Sequence, residues 1–171
     1  MIVFAEPQPA AFFAGLVIMV VGEWLRFWGV AYAGALTRVT GNVGAPSLVA
    51  AGPFSYMRNP LYVGNITIYV GVGIMANALV PWLVIGAGFY FVIQYSLIVS
   101  LEEEFLQKEF GEEYGAYRAA VPRFIFRLSP FRSASAANQH PAWRDAVRSE
   151  KRTLQALGLV TLLIVTRWAV G

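Results

Sequence analysis

Apolar residues along this chain gather into long runs that charged residues rarely interrupt. The longest charge-free stretch covers residues 59–101 and contains 43 residues. A helix crosses about 30 Å of hydrocarbon with roughly 20 residues, so the stretch is long enough for two such helices. Asn77 and Pro81 lie near its middle and favour a turn. We therefore predict two membrane spans here, at about residues 60–76 and 79–101.

Two further apolar runs flank this stretch, at about residues 10–35 and 154–170. The first contains Glu23 and Arg26, which are three residues apart and can pair across one helical turn. It is too long for a signal peptide, and we expect it to remain in the mature protein. The second run carries only Arg167 as a charge. The four runs predict about four transmembrane helices, with a fifth as the alternative.

The composition agrees with a membrane protein. The chain has 171 residues, of which 57% are hydrophobic and 13% are charged, and its mean hydropathy is +0.56. A soluble domain carries about 25% charged residues, so that class is disfavoured. Cysteine is absent and His140 is the single histidine, so we expect no disulfide and no metal centre. The predicted class is an all-α membrane bundle in one domain over residues 1–171, without a Rossmann domain.

Charged residues are concentrated in one part of the chain, and their signs predict a topology. Of the 23 charged side chains, 17 lie between residues 102 and 152, whereas the turn near residues 77–81 has none. Arg38 and Arg58 lie between the first two predicted spans. By the positive-inside rule, we expect both charged segments on the cytoplasmic side, with a helical cap at residues 102–153. The basic part of this cap either contacts anionic headgroups or is simply solvated.

A stripe of apolar residues follows the third predicted span. Its members recur at spacings of four, four, three and four residues: Leu106, Phe110, Tyr114, Tyr117 and Val121. This spacing predicts an amphipathic helix that packs on the bundle or on the membrane interface. If the helix continues from the span, Glu103 faces the bundle, Glu102 lies at the edge of the stripe and Glu104 points away. A carboxylate that faces a bundle needs a partner, either Arg58 or a bound cation.

Two segments bring polar and ionisable residues to the ends of the predicted spans on one side. They are residues 48–62 and residues 102–123. Within the first, Asn59 and Pro60 are typical of a helix start, with Asn as the N-cap and Pro in the first turn. Helix capping alone accounts for these two residues. The alternative is a rim at which a polar cofactor meets a lipid-soluble substrate.

The two segments carry a pattern that resembles the isoprenylcysteine carboxyl methyltransferase family and its phospholipid methyltransferase relatives. The family pattern is roughly L-V-x-x-G-x-Y-x-x-x-R-H-P-x-Y, then a helical hairpin, then E-E followed by F-G-x-x-Y-x-x-Y and V-P. The first block is matched by Leu48, Val49, Gly52, Arg58, Pro60 and Tyr62. The second block is matched by Glu102, Glu103, Phe110, Gly111, Tyr114, Tyr117, Val121 and Pro122.

The resemblance implies an integral-membrane enzyme that transfers a methyl group from S-adenosylmethionine, bound between membrane helices and the cytoplasmic cap. By this resemblance the cofactor is lined by Leu48, Val49, Phe54, Asn59, Pro60, Leu61 and Tyr62. Glu102, with Glu103 as its substitute, is expected to bind the ammonium group of the cofactor. Arg58, Asn59 and Tyr62 are the expected catalytic residues, and Arg58 also suits the cofactor carboxylate.

The chain departs from the family pattern at positions that bear on its chemistry. Asn59 replaces a His and cannot carry a proton, and Phe54 replaces a Tyr, which removes a hydroxyl. Residues 95–100 are uncharged, whereas the eukaryotic enzymes have an Arg there that serves the substrate carboxylate. We therefore expect a lipid-soluble acceptor other than a prenylcysteine carboxylate. Because the candidate cofactor residues lie at the ends of the predicted spans, we expect this acceptor to enter from the bilayer. A carboxylate, an amine and a thiol all stay open as the methylated group.

Other functions stay open as alternatives. A NADPH-dependent membrane reductase of the steroid-reductase type has a similar hairpin, but it usually carries an acid where this chain has Asn65. A non-enzymatic membrane scaffold would use both segments as helix ends. Gly64 and Gly71, seven residues apart, leave room either for the tail of a lipid acceptor or for a neighbouring helix. The expected partners are lipids and not nucleic acid, and the oligomeric state is open.

Overall fold

The computed structural model describes residues 4–34 and 47–170, and in this part of the chain every regular element is helical. The predicted all-α class is thereby confirmed. Ala35, at the end of the first predicted span, and Arg38 lie outside the described residues. The elements are α1 (Pro9–Ala33), a 3₁₀ turn (Gly52–Ser55), α2 (Pro60–Ala76), α3 (Trp82–Ala120), α4 (Ala134–Ala137) and α5 (Trp143–Val170).

Within the described residues, each of the four predicted apolar runs corresponds to a helix, but the helices differ in length. In the described part of the chain, three helices are long and apolar enough to cross a membrane: α1, α3 and α5. The remaining apolar helix, α2, has 17 residues. At 1.5 Å per residue it is about 25 Å long, which is shorter than a typical hydrocarbon core.

Two helix starts differ from the predicted ones. α3 begins at Trp82, later than predicted, because Asn77 and Leu79 have positive φ angles of 48° and 51° that an α-helix does not accommodate. α5 begins at Trp143, well before the last apolar run. No Gly or Pro interrupts residues 143–157, so the polar end of the predicted cap continues directly into the last apolar helix.

α3 has a charge-free part, residues 82–101, which we treat as its membrane-spanning part, and a charged part, residues 102–120. The helix is broken within the charged part at Gly111, whose φ of 49° and ψ of −119° favour glycine. The predicted apolar stripe packs into one buried cluster with residues from both sides of this break. The cluster contains Leu48, Ala50, Ala51, Tyr114, Tyr117, Val121 and Ala136, with Leu106 and Phe110 packed against it. The predicted packing of the amphipathic helix is therefore confirmed.

The described residues form two compact units, and in the first of them α1 and α2 pack through glycines. A Cβ atom on Gly71 would lie 2.5 Å from the backbone nitrogen of Met19, and one on Gly22 would lie 2.8 Å from the carbonyl oxygen of Gly64. Small residues allow this approach of backbone to backbone. The faces of Gly64 and Gly71 are therefore occupied by a neighbouring helix, which leaves no room there for a lipid tail. This unit comprises the described parts of residues 1–24, 64–94 and 150–171.

The second compact unit comprises the described parts of residues 25–63 and 95–149. Both polar segments predicted from the sequence, residues 48–62 and 102–123, belong to it. The contacts of the candidate site are therefore formed inside one compact unit.

Candidate functional site

The chain enters α2 through a turn that is fixed on two sides. Gly52 has a φ of 59° and lies so close to the ring of Tyr32 that a Cβ atom would clash with it. Two residues further on, the carbonyl of Phe54 accepts a hydrogen bond of 2.7 Å from the Tyr117 hydroxyl. Burial raises the pKa of the Tyr117 phenol, so this hydroxyl stays protonated and remains a donor at neutral pH.

Arg58 follows this turn, and its guanidinium is held by acceptors on and beyond α3. Nε and Nη2 donate to Oε1 of Glu103 at 3.1 and 2.9 Å. Nη1 donates to the carbonyls of Arg118 and Val121 at 2.8 and 2.6 Å. The side chain of Arg58 is 11% exposed. Arg58 therefore joins the first polar segment to both ends of the charged part of α3.

Glu103 receives a second guanidinium, that of Arg123. Nη2 of Arg123 donates to Oε2 at 2.5 Å, and Nε donates to Oε1 at 3.1 Å. Burial acts to raise the pKa of Glu103, but the hydrogen bonds and charges of Arg123 and Arg58 outweigh it and hold the pKa below its ordinary value. The expected partner Arg58 is confirmed, and we call Arg58, Glu103 and Arg123 the arginine–glutamate triad.

The start of α2 is tied to the segment that follows α3. Asn59 precedes Pro60, the first residue of the helix, and its carbonyl accepts the N–H of Val63 at 3.2 Å. Its side-chain amide donates to the carbonyl of Arg123 at 3.1 Å. Asn59 therefore combines the predicted place at the helix start with a tertiary contact.

In the first turn of α2, Tyr62 contacts the second polar segment. Its hydroxyl donates to Oε1 of Glu102 at 2.6 Å, and its ring lies 4.7 Å, centroid to centroid, from that of Tyr95. Glu102 is exposed, Glu103 is buried, and Glu104 is exposed beside Lys108. The predicted helical phase of the three glutamates is confirmed.

The other residues predicted to line a cofactor differ in how far they are buried. Leu48 is buried in the cluster around Tyr114, and Pro60 is fully buried. Leu61 faces α1, where its side chain packs against Gly29. Val49 and Phe54 are half-buried. Side chains that remain accessible for a ligand are therefore those of Val49, Phe54, Asn59, Tyr62 and Glu102.

Sequence reasoning missed three residues that shape this site. Arg123 follows the V-P pair, which the family pattern contains, but nothing local indicates that it pairs with Glu103. Tyr95 lies in the charge-free part of α3, and its sequence context is that of any aromatic residue in a membrane helix. Gln139 hydrogen-bonds the backbone of residues 48–51 from 88 to 91 residues away in sequence, and no sequence pattern marks it.

The site combines a carboxylate open to a ligand with an aromatic pair. Among the described residues, the Glu102 carboxylate accepts one hydrogen bond, from the Tyr62 hydroxyl. A carboxylate beside aromatic rings suits a cationic group. No group of three or more His, Cys, Asp or Glu side chains is arranged to hold a metal ion within residues 4–34 and 47–170.

Comparison with known proteins finds one matching protein family and two relatives named for metal resistance. A family model described as "Phospholipid methyltransferase" matches residues 10–113. The cobalt-zinc-cadmium resistance protein CzcN of Cupriavidus metallidurans is 34% identical over 94 residues, which are 55% of this chain and 42% of that protein. The nickel-cobalt-cadmium resistance protein NccN of Alcaligenes xylosoxydans xylosoxydans is 35% identical over 88 residues, 52% of this chain and 40% of that protein. The chain thus spans less than half the length of these relatives, and no solved structure matches it.

Proposed function

The chain belongs to the phospholipid methyltransferase family, and we propose on that premise that it transfers a methyl group from S-adenosylmethionine to a lipid-soluble acceptor at the cytoplasmic membrane face. Membership favours methyl transfer over the reductase and scaffold alternatives. The cytoplasmic side is proposed from the charge distribution, because 17 of the 23 charged residues lie between residues 102 and 152.

The observation that carries the proposal is the exposed Glu102 carboxylate, oriented by the Tyr62 hydroxyl at 2.6 Å. The ammonium and sulfonium groups of the cofactor are cationic, and the Tyr62 ring beside Glu102 adds an aromatic group that suits a cation. We assign to Glu102 the binding of the ammonium group and to Tyr62 the orientation of Glu102. Val49, Phe54 and Asn59 would line the same site.

Arg58 and Glu103 have a different role in this proposal from the one their sequence pattern indicates. The oxygens of Glu103 are occupied by Arg58 and Arg123, so Glu103 is not the substitute for Glu102. The triad instead holds the start of α2 beside the charged part of α3. That register is what allows Tyr62 to reach Glu102.

When bound, S-adenosylmethionine supplies a methyl group to the acceptor and leaves as S-adenosylhomocysteine. The chain contributes by holding the acceptor nucleophile in line with that methyl group, which is where most of the acceleration of such a transfer arises. Asn59 can donate and accept hydrogen bonds, but an amide does not titrate near neutral pH. We therefore assign it orientation of a ligand and not proton transfer.

The acceptor is proposed to arrive through the bilayer. Tyr62 lies at the start of the apolar helix α2, and Glu102 follows the charge-free part of α3, so the site lies where apolar helices meet a charged segment. Turnover should therefore rise with the alkyl length of the acceptor. Full activity on short, water-soluble acceptors with no gain from added alkyl carbons would rule out entry from the bilayer.

Calorimetric titration of the purified protein in lipid nanodiscs tests the proposed cofactor. S-adenosylhomocysteine should bind, and NADPH should not. Glu102→Gln removes a charge-assisted hydrogen bond to the ammonium group, worth about 1.5 to 3 kcal/mol, so it should weaken S-adenosylhomocysteine binding roughly ten- to a hundredfold. Glu104→Gln is the matched control, because Glu104 is the next-but-one residue and pairs with Lys108 on the surface.

The outcomes separate the proposed function from its alternatives. Binding of NADPH alone would favour a reductase, and binding of neither compound would favour a scaffold. Normal binding by Glu102→Gln with loss in Glu104→Gln would contradict the assignment of the ammonium site. Transfer of labelled methyl groups from S-adenosylmethionine into the lipid extract of membranes, absent in Glu102→Gln, would support the full reaction.

The names of the two relatives suggest a cellular consequence. Both proteins are named for resistance to cobalt and cadmium, with zinc or nickel in addition. We propose that methyl transfer by this chain contributes to tolerance of these metals. Cells lacking the protein should then be sensitised, and Glu102→Gln should fail to restore growth while Glu104→Gln restores it. Restoration by Glu102→Gln would separate metal tolerance from methyl transfer.

A further inference from the structure

Residues 48–51 lead into the candidate site but form neither a helix nor a strand. Leu48, Ala50 and Ala51 are buried in the cluster with Tyr114. Buried backbone groups outside regular secondary structure still need hydrogen-bond partners. The path of this segment is therefore decided by whichever groups satisfy its N–H and C=O.

The side chain of Gln139 satisfies them. Its Oε1 accepts the N–H groups of Ala50 and Ala51, both at 3.1 Å, and its Nε2 donates to the carbonyl of Leu48 at 2.6 Å. A primary amide presents a carbonyl and an NH₂ group in one plane, which are the groups that a neighbouring peptide would offer. One side chain thus replaces a missing strand partner.

Gln139 ends a longer strap, residues 122–139, that follows the first polar segment. The Pro122 carbonyl accepts the N–H of Arg58 at 2.9 Å, and the N–H of Phe131 donates to the carbonyl of Ser55 at 2.8 Å. The side chain of Ser133 caps α4 by accepting the N–H of Ala136 at 3.1 Å, and the N–H of Gln139 donates to the Ala136 carbonyl. The strap lies beyond residues 10–113, which match the family.

We propose that Gln139 is a positioning residue for cofactor binding, because it sets the backbone path of residues 48–51 and with it the position of Val49. Val49 is the half-buried residue between the buried Leu48 and Ala50. Without the Gln139 amide, two N–H groups and one carbonyl would be buried without these partners, and the segment would have to move to satisfy them. The inference rests on the proposed function, in which Val49 lines the cofactor.

The test compares three variants in the full chain in nanodiscs. Gln139→Leu keeps most of the volume and removes all three hydrogen bonds, whereas Gln139→Glu keeps acceptors for Ala50 and Ala51. His140→Ala is the matched control, because His140 is the next residue and is exposed. Hydrogen exchange of peptides covering residues 48–51 measures how firmly Gln139 holds this backbone, independently of any cofactor.

We expect Gln139→Leu to accelerate exchange in these peptides and to raise the KM for S-adenosylmethionine roughly tenfold, with kcat and the acceptor KM unchanged. Gln139→Glu should recover part of both effects, and His140→Ala should show neither. A general loss of folding would instead lower kcat and accelerate exchange throughout the chain, which would overturn a positioning role.

The remaining outcomes are distinguishable. Faster exchange with an unchanged KM would make Gln139 a packing contact and overturn the inference while leaving the proposed function intact. Unchanged exchange in Gln139→Leu would show that Gln139 does not hold the backbone of residues 48–51 in place. If the unaltered protein bound no S-adenosylhomocysteine, the proposed function would fail, and the cofactor role of Gln139 with it, whatever the exchange showed.

Discussion

Replacing Glu103 by glutamine should destabilise the protein by about 3 kcal/mol, because it leaves two guanidinium groups facing a neutral side chain. Glutamine has nearly the same size as glutamate and keeps one carbonyl acceptor, so packing changes little. The side chains left behind are those of Arg58, 11% exposed, and Arg123, 33% exposed. The stability is therefore lost because two arginines no longer have a negative charge beside them in a buried position.

The size of the effect follows from what each arginine retains. Removing one partner of a buried ion pair costs about 3 to 5 kcal/mol. Arg58 keeps its bonds to the carbonyls of Arg118 and Val121, and Arg123 reaches water with a third of its side chain. Both features reduce the penalty, so the lower end of the range is expected.

The same carboxylate predicts how stability depends on pH. The pKa of Glu103 is lower in the folded protein than in the unfolded chain, because the guanidinium groups of Arg123 and Arg58 outweigh burial. Its contribution is therefore complete above the unfolded pKa of Glu, near 4.5, and is lost as the pH falls towards the folded value. In Glu103→Gln, the free energy of unfolding should therefore fall less steeply as the pH drops below 4.5; we call this fall the acid limb.

Equilibrium unfolding in mixed micelles, followed by circular dichroism, measures the change. Glu104→Gln is the control, because Glu104 and Lys108 form an exposed pair and no measurable loss is expected there. If Glu103→Gln and Glu104→Gln were equally stable, or if the acid limb persisted in Glu103→Gln, the triad would not hold the charged part of α3 in place.

Further changes test the contacts around the triad. Tyr62→Phe should weaken S-adenosylhomocysteine binding roughly tenfold at unchanged stability, since it removes one hydrogen bond to a charged group. If calorimetry finds no change, Tyr62 does not orient Glu102 for binding. Asn59→Ala should lose about 1 kcal/mol of stability, because its side-chain amide no longer donates to the Arg123 carbonyl, and it should also lose affinity, whereas Asn59→His should keep affinity. Unchanged affinity in Asn59→Ala at a matched folded fraction would leave Asn59 with a structural role alone. Gly71→Ala should lower stability by about 1 to 3 kcal/mol through overpacking against α1, while Gly86→Ala, with open space around it, should not. A Gly71→Ala protein that unfolds normally but loses turnover would instead favour a place for the tail of a lipid acceptor at Gly71.

The helices and the phase of the polar residues were predictable from sequence because both depend on neighbours along the chain. Long apolar runs with few or no charges marked the four apolar helices, and an apolar spacing of three and four residues marked the stripe through Tyr114 and Tyr117. The same period put Glu103 on the buried face and Glu104 on the exposed face. A helix repeats every 3.6 residues, so these properties need no knowledge of the fold.

The tertiary structure decided which distant groups meet. Arg123 reaches Glu103, and Gln139 reaches residues 48–51, because the strap turns back along the first polar segment. No periodicity in the sequence encodes this path. It also decided that α1 packs against the faces of Gly64 and Gly71. Hydrogen bonds and close packing between segments far apart in sequence depend on where the chain goes. The sequence could therefore name Glu102 and Tyr62 separately, but their contact, and the triad that supports it, come from the fold.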